Sequence, residues 1–336
     1  MKFLPASSSL TPTLTLPIKG KRIGFPALES ESYSFRWYDR LQLGDENWQL
    51  MAEYYAFQAA VCFSFAHILV RRGLVGSNAL TGSLISLGTT GTIVWLLLPF
   101  FTPLSVLWQP AVGFFMAAGF FAPAIGQWLG YIGMERIGVA RSSPIVNTSP
   151  IFSSSFAVFL LDEVWTVQNR IGTCLVILGV IILSSGKSAG GEWRKIDILY
   201  PVLAALAFGI STTLRKTGLT TIHLPILAAA VTVGTAFFVL LGIIQLRGGR
   251  KALKFDRQSC AWLFAAALVN TGATLSFFSA LNVGKVVKVE PLVACNPLLT
   301  ILWAGMFLKQ IERLSSRVVA GALVTVTGTL LVVTAR

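Results

Sequence analysis

The sequence predicts an all-α polytopic membrane protein of ten transmembrane helices, arranged as two inverted five-helix repeats. Three observations carry that prediction. Of the 336 residues, 54% are hydrophobic and 12% are charged, where a soluble domain carries about a quarter charged residues. Charge is also clustered: none lies between Arg72 and Glu135, between Asp197 and Arg215, or between Lys216 and Arg247. Finally, the chain repeats itself. Gly138, Pro144, Pro150, Glu163, Gly172 and Gly179 recur in order as Gly284, Pro291, Pro297, Glu312, Gly321 and Gly328, at equal or nearly equal spacing.

Residues 1–50 come first and differ from the rest. Ser7-Ser8-Ser9, the proline-broken run Thr11–Pro17 and the basic Lys19–Arg22 contain no apolar run of spanning length. Such a segment cannot bury a core and is expected to be disordered. It also lacks the long apolar stretch of a signal peptide. Thr11–Pro17 resembles a translated intergenic repeat, and Met51 stands directly before the first apolar run. The natural chain is therefore expected to begin at Met51, residues 1–50 being a spurious extension.

The apolar runs that follow lie at about 54–71, 80–101, 110–133, 144–161 and 169–185, then at 198–214, 223–246, 259–281, 287–308 and 317–334. A hydrocarbon core of ~30 Å at ~1.5 Å per residue asks for spans of about this length. The first repeat is thus 51–186 and the second 197–335, joined by the short loop Gly186–Asp197. The first and sixth spans match at Phe63 and Gly73-Leu74 against Phe208 and Gly218-Leu219, bracketed by Arg71-Arg72 and Arg215-Lys216. The third and eighth are aromatic, the fourth and ninth open on a proline, and the fifth and tenth are paced by glycines seven apart. Five is odd, so the second half enters the membrane from the opposite side. Two packings of nearly equal energy are the physical basis of alternating access.

Two halves of five helices, each carrying Gly-(x)n-Pro-x5-Pro-(apolar)-Glu-x8-Gly-x6-Gly, resemble the EamA family of the drug/metabolite transporter superfamily over residues 52–334. The resemblance implies a transporter of small organic solutes, a central cavity between the halves, and cytoplasmic termini. The basic residues point the other way. The loops on one side carry fifteen Lys and Arg, and the opposite side, tail apart, carries six. The positive-inside rule then puts both termini outside.

Polar residues within apolar spans must face a cavity or another helix. By that rule the candidate substrate-binding residues are His67 in the first span, Gln127, Trp128 and Tyr131 in the third, Asn147 and Ser149 in the fourth, Asn270 in the eighth and Asn296 in the ninth. Bonding across the bundle is the competing account of each. Pro150 and Pro297 are expected to kink their helices, freeing the carbonyls of Val146 and Val293. Glu290, beside Lys288, is the coupling candidate, against a solvated place at the headgroups. His67 has the right titration range for proton coupling. Glu163 and Glu312 precede helices, where an acid complements the dipole. Gly172, Gly179, Gly321 and Gly328 mark the close-packed face of the fifth and tenth helices, holding halves or subunits together.

Some classes are excluded. A net charge of +13 suggests nucleic acid in a soluble protein, but here it sets orientation. Cys62, Cys174, Cys260 and Cys295 lie in or beside apolar runs, without zinc or disulfide spacing. No nucleophile elbow, metal cluster or phosphate loop is present, so neither an enzyme, a cofactor, a metal nor a nucleotide-driven pump is expected. The partners expected are a small-molecule solute and the lipid bilayer, with the chain a monomer or homodimer. The reading is a secondary carrier, an exporter in a prokaryotic inner membrane. Its rivals are a carrier or flippase for a phosphorylated or lipid-linked solute, which needs a Lys/Arg pair in the cavity, and a non-transporting scaffold or sensor.

Overall fold

The computed structural model describes residues 13–18, 21–26, 45–149, 151–153, 155–156, 167–184, 194–222, 224–283, 292–293, 295–308 and 315–334. Within the tail, strand β1 (Thr13–Ile18) pairs antiparallel with β2 (Lys21–Pro26), Thr13 opposite Pro26 and Ile18 opposite Lys21. A wholly unstructured tail was expected from composition. In a two-stranded ribbon both strands are edges, so Pro17 removes no ladder bond that the pairing needs.

The helices of the first half are α1 (Asp45–Gly73), α2 (Ala79–Phe101), α3 (Val112–Gly119), α4 (Gly126–Ile137), α5 (Val139–Val146) and α6 (Val167–Ser184). Those of the second are α7 (Leu199–Thr221), α8 (Pro225–Leu246), α9 (Arg257–Val283), α10 (Asn296–Phe307) and α11 (Ser316–Thr334). With α3 and α4 taken together as the third rod, the described residues beyond the tail form ten helical rods. Among the described residues, five helical stretches are long and apolar enough to cross a membrane, and three shorter apolar ones accompany them. Large apolar side chains such as Phe238, Leu178 and Leu323 face outward, the reverse of a water-soluble surface.

Three spans depart from their expected form, each for a local reason. First, α1 starts at Asp45, before Met51, because a nucleated helix propagates through Asp45–Gln49 without needing apolar residues. Second, α7 runs on to Thr221, seven residues past its expected end near 214. The hydroxyls of Thr213, Thr217 and Thr221 donate to carbonyls one turn back, at 3.1, 3.0 and 3.4 Å, so the polar run stays inside the helix. Third, the third span is broken. Ala122 adopts φ −150° and ψ 132°, and the Gly126 N–H reaches back to Phe121 O. The Ala122 carbonyl turns instead to the second half, accepting from Ser211 Oγ at 2.8 Å and from Arg215 Nη2 at 2.8 Å.

The fourth and ninth spans are discontinuous too. Helix α5 ends at Val146, Asn147 leaves the helix, and Thr148 N–H donates to Ile145 O at 3.1 Å. In the ninth span Pro297 sits in the first turn of α10. That corrects the kink expected there: a proline in the first turn removes an N–H that has no helical acceptor. The chain is interrupted at Cys295 and starts a new helix. Pro150, Glu163, Glu290 and Glu312 lie outside the described residues.

Packing relations repeat when the halves are exchanged. Helix α1 lies against α9 as α7 lies against α3 and α4, and α1 against α10 as α7 against α5. Helix α2 lies against α9 as α8 lies against α3, while α2–α8, α5–α10 and α6–α11 join equivalent elements. One twofold relation thus organises the bundle. The α6–α11 contact brings backbone against backbone. A side chain at Gly179 would meet Thr325 and Gly321 O, and one at Gly328 would meet Gly172 O and Val176 N, at 2.7 Å each. The glycine spacing therefore holds halves of one chain together.

Candidate functional site

Where the two halves meet, a cavity of ≈ 270 Å³ opens between α1, α2, the third span, α5, α7, α8, α9 and the break before α10. Its walls are built from equivalent positions of the two repeats. Counted from Gly73 and Gly218, Phe63 matches Phe208 and His67 matches Thr212. Counted from Pro150 and Pro297, Val146 matches Val293 and Ser149 matches Asn296. All eight residues line the cavity. Gln127, Tyr131 and Met134 on α4 are answered by Asn270, Thr274 and Phe277 on α9 with the same steps along the helix.

The sequence candidates thus come together: His67, Gln127, Tyr131, Asn147, Ser149, Asn270 and Asn296 share one cavity. Trp128 is placed elsewhere. Its ring faces away, with the Arg247 guanidinium 4.9 Å from its centroid, and packs between two apolar clusters. The reason is helical phase, since Gln127 and Tyr131 share the inner face and Trp128 is turned off it by one residue. Broken helices supply the polar groups: Asn147 Nδ2 donates to Ser143 O at 2.9 Å, and buried Asn296 accepts from Thr300 Oγ1 at 3.0 Å.

Sequence reasoning missed Arg215. It stands where the first repeat has the buried Val70, and beside Lys216 it reads as a loop charge. In the structure it lines the cavity, donating to Ala122 O with the Phe278 ring centroid 6.0 Å away. Among the described lining residues, buried atoms without a hydrogen-bond partner include His67 Nδ1, Gln127 Nε2, Arg215 Nε and Thr232 Oγ1. Buried polar groups are paired in the great majority of cases, so these orphans leave hydrogen-bonding capacity unmet around one cavity.

The EamA-like transporter family matches residues 50–185 and again 195–334, one copy per repeat. The chain belongs to that family. It is a multi-pass membrane protein. The chain is 27% identical over 203 residues to the "Uncharacterized transporter YvbV" of Bacillus subtilis (strain 168), a match covering 60% of this chain. It spans 65% of that relative's length. A solved crystal structure shares the fold at a TM-score of 0.58 and 14% identity, covering 84% of this chain and 96% of the other.

On one face the two halves are tied loop to loop. Ser77 Oγ donates to Lys254 O at 2.7 Å, Asn78 Nδ2 to Ala252 O at 2.9 Å, and Lys254 N–H to Thr81 Oγ1 at 3.0 Å. Asn78 Oδ1 also caps α2 through Thr81 N–H at 3.0 Å. On the same face Asp256 accepts from Ser259 N–H at 2.9 Å, which holds its carboxyl below the usual carboxylate range. Asn78→Ala should cost about 1 kcal/mol as a lost cap, read as a lower unfolding midpoint. Faster amide exchange in 249–256 should accompany it, because the Ala252 and Lys254 contacts loosen together.

Proposed function

We propose that the transporter is a secondary carrier that moves a small organic solute by rocking one half on the other, acting as an exporter in a prokaryotic inner membrane. The observation that supports it is the cavity lined by equivalent residues of both repeats. A pocket on the pseudo-twofold has two related ways out. Opening one and closing the other exchanges two arrangements of similar energy. The volume is at the small end of ligand sites, and aromatic walls with a few polar groups suit a metabolite rather than a lipid. The loop-to-loop bonds at Ser77, Asn78 and Lys254 act as the closure of one mouth.

The test is flux in proteoliposomes, with both protein orientations assayed to read direction. Cysteines at the exposed positions Val75 and Lys254, bridged by a short bifunctional thiol reagent, should clamp that closure. Turnover should stop, while solute-dependent thermal stabilisation remains, since binding needs only one open mouth. Stabilisation without flux in the unbridged protein would favour the sensor reading over a carrier.

A further inference from the structure

We propose that Arg215 is the anion subsite of this cavity, and that the solute is an organic carboxylate with an apolar or aromatic body. The assignment rests on the carrier reading for its purpose, though binding alone tests it. Among the described lining residues Arg215 is the one formal charge, and no carboxylate accompanies it. Arginine stays protonated and carries five N–H donors. Here Nη2 donates to the Ala122 carbonyl and Nε is buried with no partner. The Phe278 ring beside it and the other lining residues of α7, Phe208 and Thr212, are neutral. A cation so placed in low dielectric is costly until an anion joins it.

The geometry is built rather than incidental. The break in the third span frees the Ala122 carbonyl, and Ser211 and Arg215, one turn apart on α7, both donate to it. That anchor holds the guanidinium from one side and leaves its other donors for the solute. A planar fork matches a carboxylate with two parallel bonds. A single guanidinium balances one negative charge, which favours a carboxylate over a phosphate dianion. Around it Phe63, Phe208, Phe277 and Tyr131 supply ring surface for the uncharged part of the solute. Among the described lining residues the charge is thus one arginine, not the Lys/Arg pair that a phosphorylated solute needs.

The purified full-length chain tests this by thermal stabilisation with matched probes: benzoate, phenylacetate and indole-3-acetate, their amides and amines, and phenyl phosphate. At least one carboxylate should stabilise at a concentration about tenfold or more below its amide, the worth of one charge-assisted bond pair. In Arg215→Gln that preference should vanish while the amide still binds, and Arg215→Lys should keep part of it. If Arg215→Gln does not fold, the wild-type series and Arg215→Lys decide. Equal response to carboxylate and amide, preference for the amine or the phosphate, response to no carboxylate, or preference surviving in Arg215→Gln overturns the proposal. Carboxylate binding without flux in proteoliposomes overturns the carrier reading alone. Flux of neutral probes without charge preference overturns the anion subsite alone.

Discussion

Replacing Gly179 and Gly328 together by leucine is expected to lower the unfolding midpoint in detergent more than any pair of substitutions at Gly113, Gly242 and Gly272. Each position faces backbone across the α6–α11 contact: a Cβ at Gly179 falls 2.6 Å from Thr325 N and 2.9 Å from Gly321 O, and one at Gly328 falls 2.7 Å from both Gly172 O and Val176 N. Backbone cannot turn aside as a flexible side chain can, so the helices must part. Overpacking costs about 1–3 kcal/mol per site in well-packed cores. Two sites on one seam thus remove about 2–6 kcal/mol from a stability on the order of 5–15 kcal/mol. The control lies in the same protein. Gly113, Gly242 and Gly272 have nothing within 4 Å of an added Cβ. Alanine at those helical positions should leave the midpoint unchanged or raise it, by up to about 1 kcal/mol each. Size-exclusion profiles and thermal unfolding of the two sets check the contrast. An unchanged midpoint in the leucine pair would mean that α6 and α11 are not held by this seam.

The same glycines show what was legible beforehand. A seven-residue period of small residues in an apolar helix has one physical use, close approach, and it could be read without a partner in view. The span count was legible for a similar reason, because lipid forbids charge over a long stretch and the charge-free intervals are long. Asn147, Ser149 and Asn296 were legible as cavity residues because an amide or hydroxyl at membrane depth must turn inward. What escaped depended on tertiary context. Arg215 beside Lys216 looks like the end of a span, and only the Ala122 carbonyl, freed by a break in another helix, lets the guanidinium stay inside. That break is itself poorly marked: Pro123 is visible, but the bonding of Gly126 N–H to Phe121 O is not. Pro297 carried the opposite error, since a proline in an apolar run fits a kink or a new first turn equally well. Trp128 failed on phase, one residue away from two lining positions.

The lining also carries a pattern across the two repeats. The identical pairs Phe63 and Phe208, and Val146 and Val293, form a wall common to both halves. The pairs that differ, His67 against Thr212, Ser149 against Asn296 and Arg215 against Val70, give the cavity its polar groups. On the proposed carrier reading, matched positions serve the symmetric exchange between two states and mismatched positions serve recognition, which needs only one copy.

Filling the cavity should therefore stop transport without unfolding the protein. Thr212→Trp places an indole at the position matching His67, on the wall of α7 that faces the ≈ 270 Å³ space. Thr212 is half-buried and opens onto the cavity, so the new ring enters free volume instead of a packed core. Overpacking penalties arise when no such volume exists, and burying apolar surface is favourable at about 25 cal/mol per Å². The unfolding midpoint should hold or rise, flux in proteoliposomes should fall to the level of empty vesicles, and carboxylate-dependent stabilisation should disappear. Thr92→Trp supplies the comparison: it also replaces a helical threonine, but one on an exposed face, with its hydroxyl donating to Gly88 O at 2.8 Å. It should leave flux intact. Undiminished flux in a folded Thr212→Trp protein would show that solute passes by another route, because no small-molecule path through this cavity avoids the inner wall of α7.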